Sequence, residues 1–436
     1  MNHKTNAQGA SPEQNYLCEA VPPLTIATVM EEASRCLLCI DAPCSRDCPA
    51  GTDPGSFIRS IRFKNFKGAA ETIRKNNILG GICARVCPYE KLCEEACSRT
   101  GIDRPIQIGR IQRFATDYEK ATGFKALEPP KQDKGKVAVI GSGPAGLSCA
   151  AGLAMLGYGV TIFEEKSYAG GVLMSGIVPS RLPKYVVEEE IKYVTDLGVV
   201  IKLNTKVGKD ITLDALRKDG YKAFFLAPGN QAPQKVSVPG IDLQGVTTAV
   251  DFLVNAKPSG GKIKVGKSVV VIGGGDVAMD CATTAKLLGA EKVSVLYRRT
   301  RAEMPAYREE VDYVEDLNIL FYYGFAPEEF VGSNGQVTAV KGKGFYDDST
   351  IMLPADQVIV AVGQKPAPDL SAAAPGVKLT EKNFVVADED KDCKTSVADI
   401  FSGGDIVNGG KTVVQAVAAG KVAAEQIDAF IRQGGK

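Results

Sequence analysis

The residues with the most evident chemistry in this chain are its cysteines. Eight of the twelve lie between positions 36 and 97. Four occur in CLLCIDAPCSRDCP, residues 36–49, and four in CARVCPYEKLCEEAC, residues 83–97. In iron–sulfur proteins, such a run supplies three thiolates to one 4Fe-4S cluster, and the cysteine before the proline serves another cluster. Two Cys-Pro steps among eight cysteines therefore predict two 4Fe-4S clusters in a crossed arrangement.

Zinc and disulfides are the alternative uses of these cysteines. Four-cysteine zinc sites also use closely spaced pairs, so a structural zinc site stays open. A reducing compartment disfavours a disulfide framework. The single histidine, His3, leaves histidine-dependent hydrolysis and histidine-ligated zinc or haem without their usual residue. We therefore expect bound cofactors to perform the chemistry.

The charge balance limits the kind of partner. The chain has 436 residues, with 52 Lys and Arg against 51 Asp and Glu. This balance removes the electrostatic argument for binding nucleic acid or an acidic lipid surface. No stretch offers eighteen consecutive apolar residues for a membrane span, and no apolar leader is evident at the N-terminus. We expect a cytoplasmic protein whose partners are small molecules or proteins.

A glycine-rich turn after residue 136 predicts a dinucleotide site. In VAVIGSGPAGLSCAAGLAMLGYGVTIFEE, Gly141 turns the chain, Gly143 lets a pyrophosphate approach the backbone, and Gly146 lets helix and strand pack closely. Pro144 and Ala145 complete the turn, so that the helix N-terminus faces the phosphates. About twenty residues later, Glu164 ends the next strand, where a carboxylate can bind ribose hydroxyls.

A second unit of the same order follows in SVVVIGGGDVAMDCATTAKLLGAEKVSVLYRR. It has Gly273, Gly275 and Ala278 at the three motif positions, with Asp276 in the same turn. Its second strand ends in Arg298 and Arg299 instead of an acid.

The two arginines bear on the choice of nicotinamide cofactor. Guanidinium groups at this strand end suit a 2′-phosphate, whereas an acid would repel it. This favours NADPH over NADH. The alternative is that Arg298 and Arg299 are solvated surface groups or pair with Glu309 and Glu310.

The elements that position these residues divide the chain into segments. Short helical patterns surround the cysteines, LEPPKQDKGK supplies a linker, and alternating strands and helices follow from Lys136. We predict an α/β protein with a helical iron–sulfur domain at residues 1–125. A first dinucleotide domain at 136–245 continues at 361–436, and a second occupies 246–360.

The strand–helix units resemble flavoproteins of the glutathione-reductase type. Beyond the two motifs, the resemblance is carried by Gly170 and Gly171, by Gly229 in LAPG, by Gly363 in VAVGQKP, and by Gly404 in FSGGDIVNGGKTVVQAVAAGK. It implies two Rossmann-like domains, the first binding FAD and the second, inserted in the first, binding NADPH or NADH. It also implies that Asp405 contacts the flavin ribityl or pyrophosphate. The helix from Thr412 and Val413 would point its N-terminus at the flavin ring and stabilise reduced flavin.

Over nearly the whole chain, the sequence resembles the flavin-containing small subunit of bacterial NAD(P)H-dependent dihydropyrimidine dehydrogenase and the N-terminal half of the eukaryotic enzyme. The stretches are ASRCLLCIDAPCSRDCPAGTDPGSFIRSI, FKGAAETIRKNNILGGICARVCPYEKLCEEAC, PIQIGRIQRFATDYE and GGDVAMDCATTA. The glutamate synthase small subunit is a more distant resemblance, with a shorter spacing in its second cysteine group. SGIVPSRLP departs from the usual GIPxxRLP by one position of its proline but keeps Arg181, whose catalytic placement near the flavin the resemblance implies.

The resemblance also revises the cysteine assignment. It implies that one cluster is bound by Cys36, Cys39, Cys44 and Cys97, and the other by Cys48, Cys87, Cys93 and the amide of Gln112. Cys83 would then be a spare thiol. Without the resemblance, Gln112 is an ordinary helix residue.

The implied function is electron input. NAD(P)H would reduce FAD, and electrons would pass through two 4Fe-4S clusters to an FMN- and iron–sulfur-containing catalytic subunit that reduces uracil and thymine, in a heterotetramer of two small and two large chains. The alternatives are a glutamate synthase-like NADPH oxidoreductase serving another catalytic subunit, and a redox-sensing protein without turnover.

Overall fold

The computed structural model describes residues 11–234 and 236–435, so His3 lies outside the described residues. The chain forms two compact units. The cysteine-bearing unit comprises residues 22–173, 185–230 and 366–435, and the inserted unit comprises residues 11–21, 174–184 and 231–365.

Short helices make up the N-terminal part of the chain. They are α1 (Pro12–Leu17), α2 (Ile26–Ser34), α3 (Pro43–Arg46), α4 (Pro54–Arg62), α5 (Phe66–Asn76), α6 (Gly80–Val86) and α7 (Ile108–Thr122), with 3-10 turns at Tyr89–Lys91 and Ser98–Gly101. Side-chain caps set several of their starts: Asp53 accepts a hydrogen bond from Ser56 N at 3.2 Å, and Asn65 accepts one from Gly68 N at 2.9 Å. Helices α2, α4, α5 and α7 enclose a core that includes Phe57, against which cysteines from both runs pack.

A parallel sheet follows the linker. Its part of the chain contains β1 (Lys136–Ile140), α8 (Pro144–Met155), β2 (Gly159–Phe163), α9 (Val172–Ser175), α10 (Lys184–Asp196), β3 (Val200–Lys202), α11 (Leu213–Lys218) and β4 (Tyr221–Leu226). The central strand β1 has four consecutive buried residues, as expected for a parallel strand covered on both faces.

The inserted unit contains a second parallel sheet. Its elements are β5 (Ala232–Pro233), β6 (Val246–Thr248), α12 (Ala249–Ala256), β7 (Ser268–Ile272), α13 (Asp276–Leu287), β8 (Lys292–Tyr297), a 3-10 turn (Arg301–Glu303), α14 (Arg308–Asp316), β9 (Leu320–Tyr323), β10 (Phe325–Ser333), β11 (Gln336–Gly344), β12 (Thr350–Pro354), β13 (Gln357–Val360) and β14 (Gln364–Lys365). The sheet order is β6-β13-β7-β8-β9, and β10, β11 and β12 form an antiparallel sheet.

The chain then returns to the first sheet. The remaining elements are α15 (Leu370–Ala373), β15 (Ile400–Ser402), α16 (Asp405–Asn408) and α17 (Val413–Arg432). Strand β15 pairs in parallel with β4, giving the order β15-β4-β1-β2-β3. The whole second sheet therefore lies between β4 and β15 in sequence. This confirms the predicted α/β fold with one Rossmann-like domain inserted in another.

The N-terminal helix α1 groups with the inserted unit, although the sequence assigned residues 1–125 to the iron–sulfur domain. The physical reason is Tyr16, which is fully buried in the core of the inserted unit with Phe252 and Ala282. The remaining boundaries predicted from sequence stay predictions.

Within the cysteine-bearing unit, a buried cluster of ion pairs joins helices α5 and α7, which lie near the cysteines, to helix α10, which precedes strand β3 of the first sheet. Arg74 on α5 donates to Glu119 on α7 at 2.7 Å and to Glu190 on α10 at 2.6 Å. Glu190 also accepts a hydrogen bond from Gly81 N at 3.0 Å. Because all three side chains are buried, each charge depends on the others for compensation.

We expect Arg74→Met to destabilise the protein by about 3–5 kcal/mol, because it leaves two carboxylates buried without their cation. The measurement is urea denaturation of the purified chain. Lys75→Met is the matched control, since Lys75 lies on the same helix but is exposed, and it should change the free energy of unfolding by less than about 1 kcal/mol. Equal stability of the two variants would contradict the prediction.

Candidate functional site

One cavity collects the cysteines assigned to the first cluster. Cys36, Cys39, Cys44 and Cys97 all line it, together with apolar residues of α4 and the chain before α7. Burial and the neighbouring thiolates of Cys97, Cys36 and Cys39 raise the pKa of Cys44 to about 12. A thiol in this position is protonated at neutral pH unless a metal takes the place of the proton.

The second group of cysteines lies around the end of α6. A hydrogen bond donated by the Cys87 thiol to Cys83, burial, and the charges of Cys83, Cys93 and Cys48 raise the pKa of Cys87. Burial likewise raises the pKa of Cys93, with Glu94, Cys48 and Cys44 adding to the shift. The structure therefore brings together cysteines from both runs of the sequence, as a crossed arrangement requires.

Gln112 and Cys83 are the two candidates for the eighth ligand. Gln112 is buried on α7, and its Nε2 donates to Gly80 O at 2.7 Å. This bond fixes the amide on α6, the helix that bears Cys83, and an amide binds metal through its oxygen. Cys83 is also buried. The choice of Gln112 stays a prediction.

The chemistry of the donors fits an iron–sulfur cluster. Within residues 11–234 and 236–435, no three histidine, cysteine, aspartate or glutamate side chains lie close enough to hold one ion. The cysteines of both runs are free and mostly partly buried, and such soft thiolate donors fit a four-iron cluster.

The first glycine turn has the geometry that a pyrophosphate requires. A Cβ built on Gly141 would lie 2.3 Å from Ala227 O, and one on Gly146 would lie 2.0 Å from Gly141 O. A Cβ on Gly143 would meet nothing within 4 Å, and Gly143 caps α8 without a side-chain hydrogen bond. The backbone at Gly143 is therefore open to a ligand, whereas the other two glycines allow close packing.

Glu164 is held at the end of β2 beside this turn. It accepts hydrogen bonds from Ser142 N at 3.0 Å, Ser142 Oγ at 2.5 Å and Lys166 N at 2.9 Å. The Ser142 hydroxyl also accepts from Gly170 N at 3.0 Å. This network ties the Gly170–Gly171 segment to the turn, so that a Cβ on Gly171 would lie 3.1 Å from Gly143 Cα.

The segment that returns to the first sheet, residues 366–435, carries Asp405 and Thr412, which the family resemblance places at the flavin. Burial raises the pKa of Asp405, whose Oδ1 accepts from Lys411 N at 3.3 Å. Glu389 accepts from Gly404 N at 2.9 Å and so holds the turn before Asp405. Thr412 caps α17, which begins at Val413. Gly229 follows β4 in the left-handed region, with φ 68°.

The turn of the inserted unit repeats the pattern. A Cβ on Gly273 would lie 2.2 Å from Ala361 O, and Gly275 caps α13 with no side-chain hydrogen bond. Ala278 is fully buried against this turn. Asp276 accepts from Tyr307 N at 3.0 Å, and Gly363 follows β13 with φ 113°.

Arg298 and Arg299 are exposed at the end of β8. Arg298 lies over the Phe345 ring, with its guanidinium carbon 5.8 Å from the centroid. Among the described residues no ion pair with either guanidinium is found, and Glu310 is paired with Arg181. Hydrogen bonds with Tyr346 and Thr300 lower the pKa of Glu303, and the nearby charge of Arg299 adds to the shift.

Arg181 belongs to the inserted unit. Its guanidinium pairs with Glu310 and, at 3.3 Å, with Asp280 on α13. Burial lowers the pKa of Arg181, but the two carboxylates outweigh burial and raise it overall. The structure thus gives Arg181 a structural role at α13, and its predicted catalytic role stays a prediction.

Two family models match the chain. Residues 13–124 match dihydropyrimidine dehydrogenase domain II, 4Fe-4S cluster. Residues 135–420 match pyridine nucleotide-disulphide oxidoreductase. The NAD-dependent dihydropyrimidine dehydrogenase subunit PreT of Escherichia coli K12 is 44% identical over 420 residues, which cover 96% of this chain and 98% of that protein. The chain belongs to the PreT family.

Other relatives are similar to this chain over most of its length. The PreT subunit of Salmonella typhimurium LT2 is 44% identical over 97% of this chain and 99% of its own. The beta subunit of the NADP(+)-dependent formate dehydrogenase of Moorella thermoacetica is 38% identical over 91% of this chain and 60% of its own. Membership of the PreT family confirms the predicted NAD(P)H-dependent flavin and iron–sulfur oxidoreductase, with FAD and 4Fe-4S clusters as its cofactors.

Solved structures agree with the fold. Mycobacterium tuberculosis FprA in complex with NADPH superposes with a TM-score of 0.56 at 19% identity, covering 69% of this chain and 86% of that one. Lactococcus lactis thioredoxin reductase gives 0.56 at 21% identity, covering 69% and 99%. No helix in the described part of this PreT-family chain is long and apolar enough to cross a membrane.

Proposed function

We propose that this chain is the electron-input subunit of a dihydropyrimidine dehydrogenase. The observation that carries the proposal is the 44% identity to the PreT subunit over 98% of that subunit's length. The match extends through the cysteine helices and both dinucleotide units, which supports hydride acceptance and electron release by this one chain. The proposed acceptor is a partner subunit with FMN and iron–sulfur clusters that reduces uracil and thymine.

Each part of the site has a defined task in this function. The turn at Gly143 and the N-terminus of α8 would bind the FAD pyrophosphate, and the turn at Gly275 and α13 would bind that of NAD(P)H. FAD supplies the conversion of a two-electron hydride into single electrons. The partial positive charge at the start of α17 would favour negative charge on the bound cofactor.

The proposal extends to assembly and location. The PreT relatives and the formate dehydrogenase relative are all named as subunits, which supports a partner chain. We propose two small and two large chains in a heterotetramer in the cytoplasm.

The test uses the purified chain, kept anaerobic and supplied with NADH or NADPH. We expect rapid reduction of an artificial dye and no consumption of uracil, because the pyrimidine site lies on the partner in this proposal. Adding a purified FMN- and iron–sulfur-containing dihydropyrimidine dehydrogenase large subunit should start uracil reduction. Uracil turnover by the lone chain would contradict the division of labour, and absence of dye reduction would contradict electron input.

A second candidate is electron input to a different catalytic subunit. The specific observation is the 38% identity to the formate dehydrogenase beta subunit. The NADPH-Fe(3+) oxidoreductase subunit beta of Geobacter sulfurreducens, 35% identical over 90% of this chain, supports it as well. Dye reduction together with failure to support uracil reduction in the reconstituted complex would favour this candidate.

Arg298 and Arg299 allow a prediction about the nicotinamide cofactor. We expect Arg298→Ala/Arg299→Ala to lower kcat/KM for NADPH by roughly 10–150-fold, because charge-assisted hydrogen bonds contribute about 1.5–3 kcal/mol. The value for NADH should change by less than about threefold. Dye-reduction kinetics with both nucleotides give the ratio. Equal losses for NADPH and NADH would mean that the arginines do not recognise the 2′-phosphate.

A further inference from the structure

One lysine in the cysteine-bearing unit has an unusual set of partners. Lys421 lies on α17, is partly buried, and its Nζ donates to Ala50 O at 2.6 Å and to Asn76 O at 2.7 Å. Ala50 lies two residues after Cys48, and Asn76 is the last residue of α5. A single ammonium therefore holds together the Cys48 loop and the end of α5.

A short series of hydrogen bonds links these two segments and ends at the Cys48 sulfur. Thr52 N donates to Cys48 Sγ at 3.4 Å, and the Thr52 hydroxyl lies 3.2 Å from the same sulfur. Asn77 Nδ2 donates to Thr52 Oγ1 at 3.2 Å, and Asn77 Oδ1 accepts from Leu79 N at 3.1 Å. Thr52 and Asn77 are fully buried.

This chain of bonds orients the Thr52 hydroxyl. Leu79 N fixes which end of the Asn77 amide faces Thr52, and the amide N–H occupies an acceptor site of the hydroxyl. In the structure the Cys48 thiol donates to Thr52 Oγ1 at 3.2 Å. Once the thiol is deprotonated as a cluster ligand, the Thr52 hydroxyl can donate its proton to the sulfur instead. A thiolate at Cys48 would accept two hydrogen bonds from Thr52, one from the backbone and one from the side chain.

Helix α17 also packs on the flavin side of the same unit. It lies against α8, which follows the first glycine turn, and it contacts α6. The approach to α8 is close, because a Cβ on Gly420 would lie 2.4 Å from Ala145 O. Lys421 therefore extends from a helix packed on the FAD-binding turn to the loop of a predicted cluster ligand.

We propose that Lys421 is a positioning residue that holds the Thr52–Asn77 pair against Cys48 and thereby raises the reduction potential of the cluster bound by Cys48. Hydrogen bonds to a ligating sulfur and a nearby positive charge both stabilise the more negative, reduced cluster. The inference rests on the proposed ligation by Cys48 and is independent of the proposed partner subunit.

The test is a redox titration of the anaerobic holoprotein, in which the potential of each cluster is followed by its electron paramagnetic resonance signal. Lys421→Met and Thr52→Val should each lower the potential of one cluster and leave the other unchanged. We expect about a tenfold decrease in the equilibrium constant for reduction, which corresponds to about 59 mV for a one-electron couple. Lys421→Arg should restore part of the loss, because it keeps a charge and several N–H donors.

A double variant tests whether Lys421 changes the reduction potential by positioning Thr52 or only through its own positive charge. If Lys421 acts through Thr52, Lys421→Met combined with Thr52→Val shifts the potential by less than the two single shifts together. Additive shifts would overturn positioning, and an unchanged potential in Thr52→Val with full iron content would overturn the proposal as a whole. Arg432→Met is the matched control, since it removes a cation from the same helix where Arg432 pairs with Asp428; it should shift neither cluster.

A separate variant distinguishes failure of the ligand assignment from failure of this inference. Cys48→Ser should lose the iron of one cluster if Cys48 is a ligand. Full iron in Cys48→Ser would overturn both the assignment and the role of Lys421. Dye reduction by the unmodified chain would still test electron input independently. Flavin content should stay the same in Lys421→Met, and a single cooperative thermal transition, at a lower midpoint because two hydrogen bonds are lost, shows that the variant is folded.

Discussion

Cys87→Ser is expected to halve the iron of the protein, from about eight to about four atoms per chain, because it removes one ligand of a four-iron cluster. Cys87 caps the end of α6 and is partly buried, with Cys83, Cys93 and Cys48 close enough to raise the pKa of its thiol. A serine hydroxyl is a poor replacement for a soft thiolate. The measurement is iron and acid-labile sulfide per flavin after anaerobic purification.

The same variant should also separate hydride input from electron output. Binding of FAD and NAD(P)H depends on the glycine turns, which are distant in sequence from Cys87, so NAD(P)H should still bleach the flavin band. Reduction of a one-electron acceptor that takes electrons from the clusters should fall to the level of a preparation without clusters. Loss of flavin together with iron would instead show that the cluster is needed for folding.

Cys83→Ser is the matched control, because Cys83 is a buried cysteine of α6 that lies one helical turn before Cys87. We expect it to keep all its iron if Gln112 is the eighth ligand, and Gln112→Leu to lose the iron of one cluster. The reverse pattern, with iron lost in Cys83→Ser and kept in Gln112→Leu, would assign the ligand to Cys83.

Much of the fold could be predicted from sequence because its signals are local. A strand, a glycine turn and a helix occur within about thirty residues in each dinucleotide unit, and such periodic patterns are informative on their own. The placement of α1 could not be predicted in this way. Tyr16 packs against residues more than 200 positions away, and nothing in the short N-terminal segment indicates which core it completes.

In the candidate site too, residues with a local sequence signal could be predicted, whereas residues that act through tertiary contacts could not. Cysteine spacing predicted two clusters in a crossed arrangement. The particular set that lines one cavity, Cys36, Cys39, Cys44 and Cys97, was implied only by the family resemblance, because spacing does not show that Cys97 joins cysteines more than fifty residues earlier. Glu389 was missed, although it holds the turn at Gly404, because an acid within ADEDKD gives no local sign of burial. Thr52, Asn77 and Lys421 were also missed, because their importance lies in tertiary hydrogen bonds. Ser142 could have been found, since it lies inside the glycine motif and its hydroxyl had an obvious neighbour in Glu164.

Gly143→Ala is expected to weaken FAD binding without destabilising the protein. A Cβ at Gly143 meets no protein atom within 4 Å, and the backbone there has φ −66°, which alanine adopts readily. The methyl group would instead occupy the space through which the pyrophosphate approaches the backbone. Overpacking of this kind costs about 1–3 kcal/mol, or roughly 5–150-fold in the dissociation constant.

Two other glycine variants serve as controls, one expected to change neither flavin binding nor stability and one expected to lose both. Gly159→Ala in β2 meets only Gly135 O at 3.7 Å, so it should keep both flavin and stability. Gly146→Ala would put a methyl group 2.0 Å from Gly141 O, so it should lose both. Flavin affinity measured by fluorescence titration of the deflavinated protein, alongside its thermal unfolding, separates the three cases. Tight FAD binding by Gly143→Ala would show that the pyrophosphate does not approach this glycine, and would direct the search for the flavin site away from the start of α8.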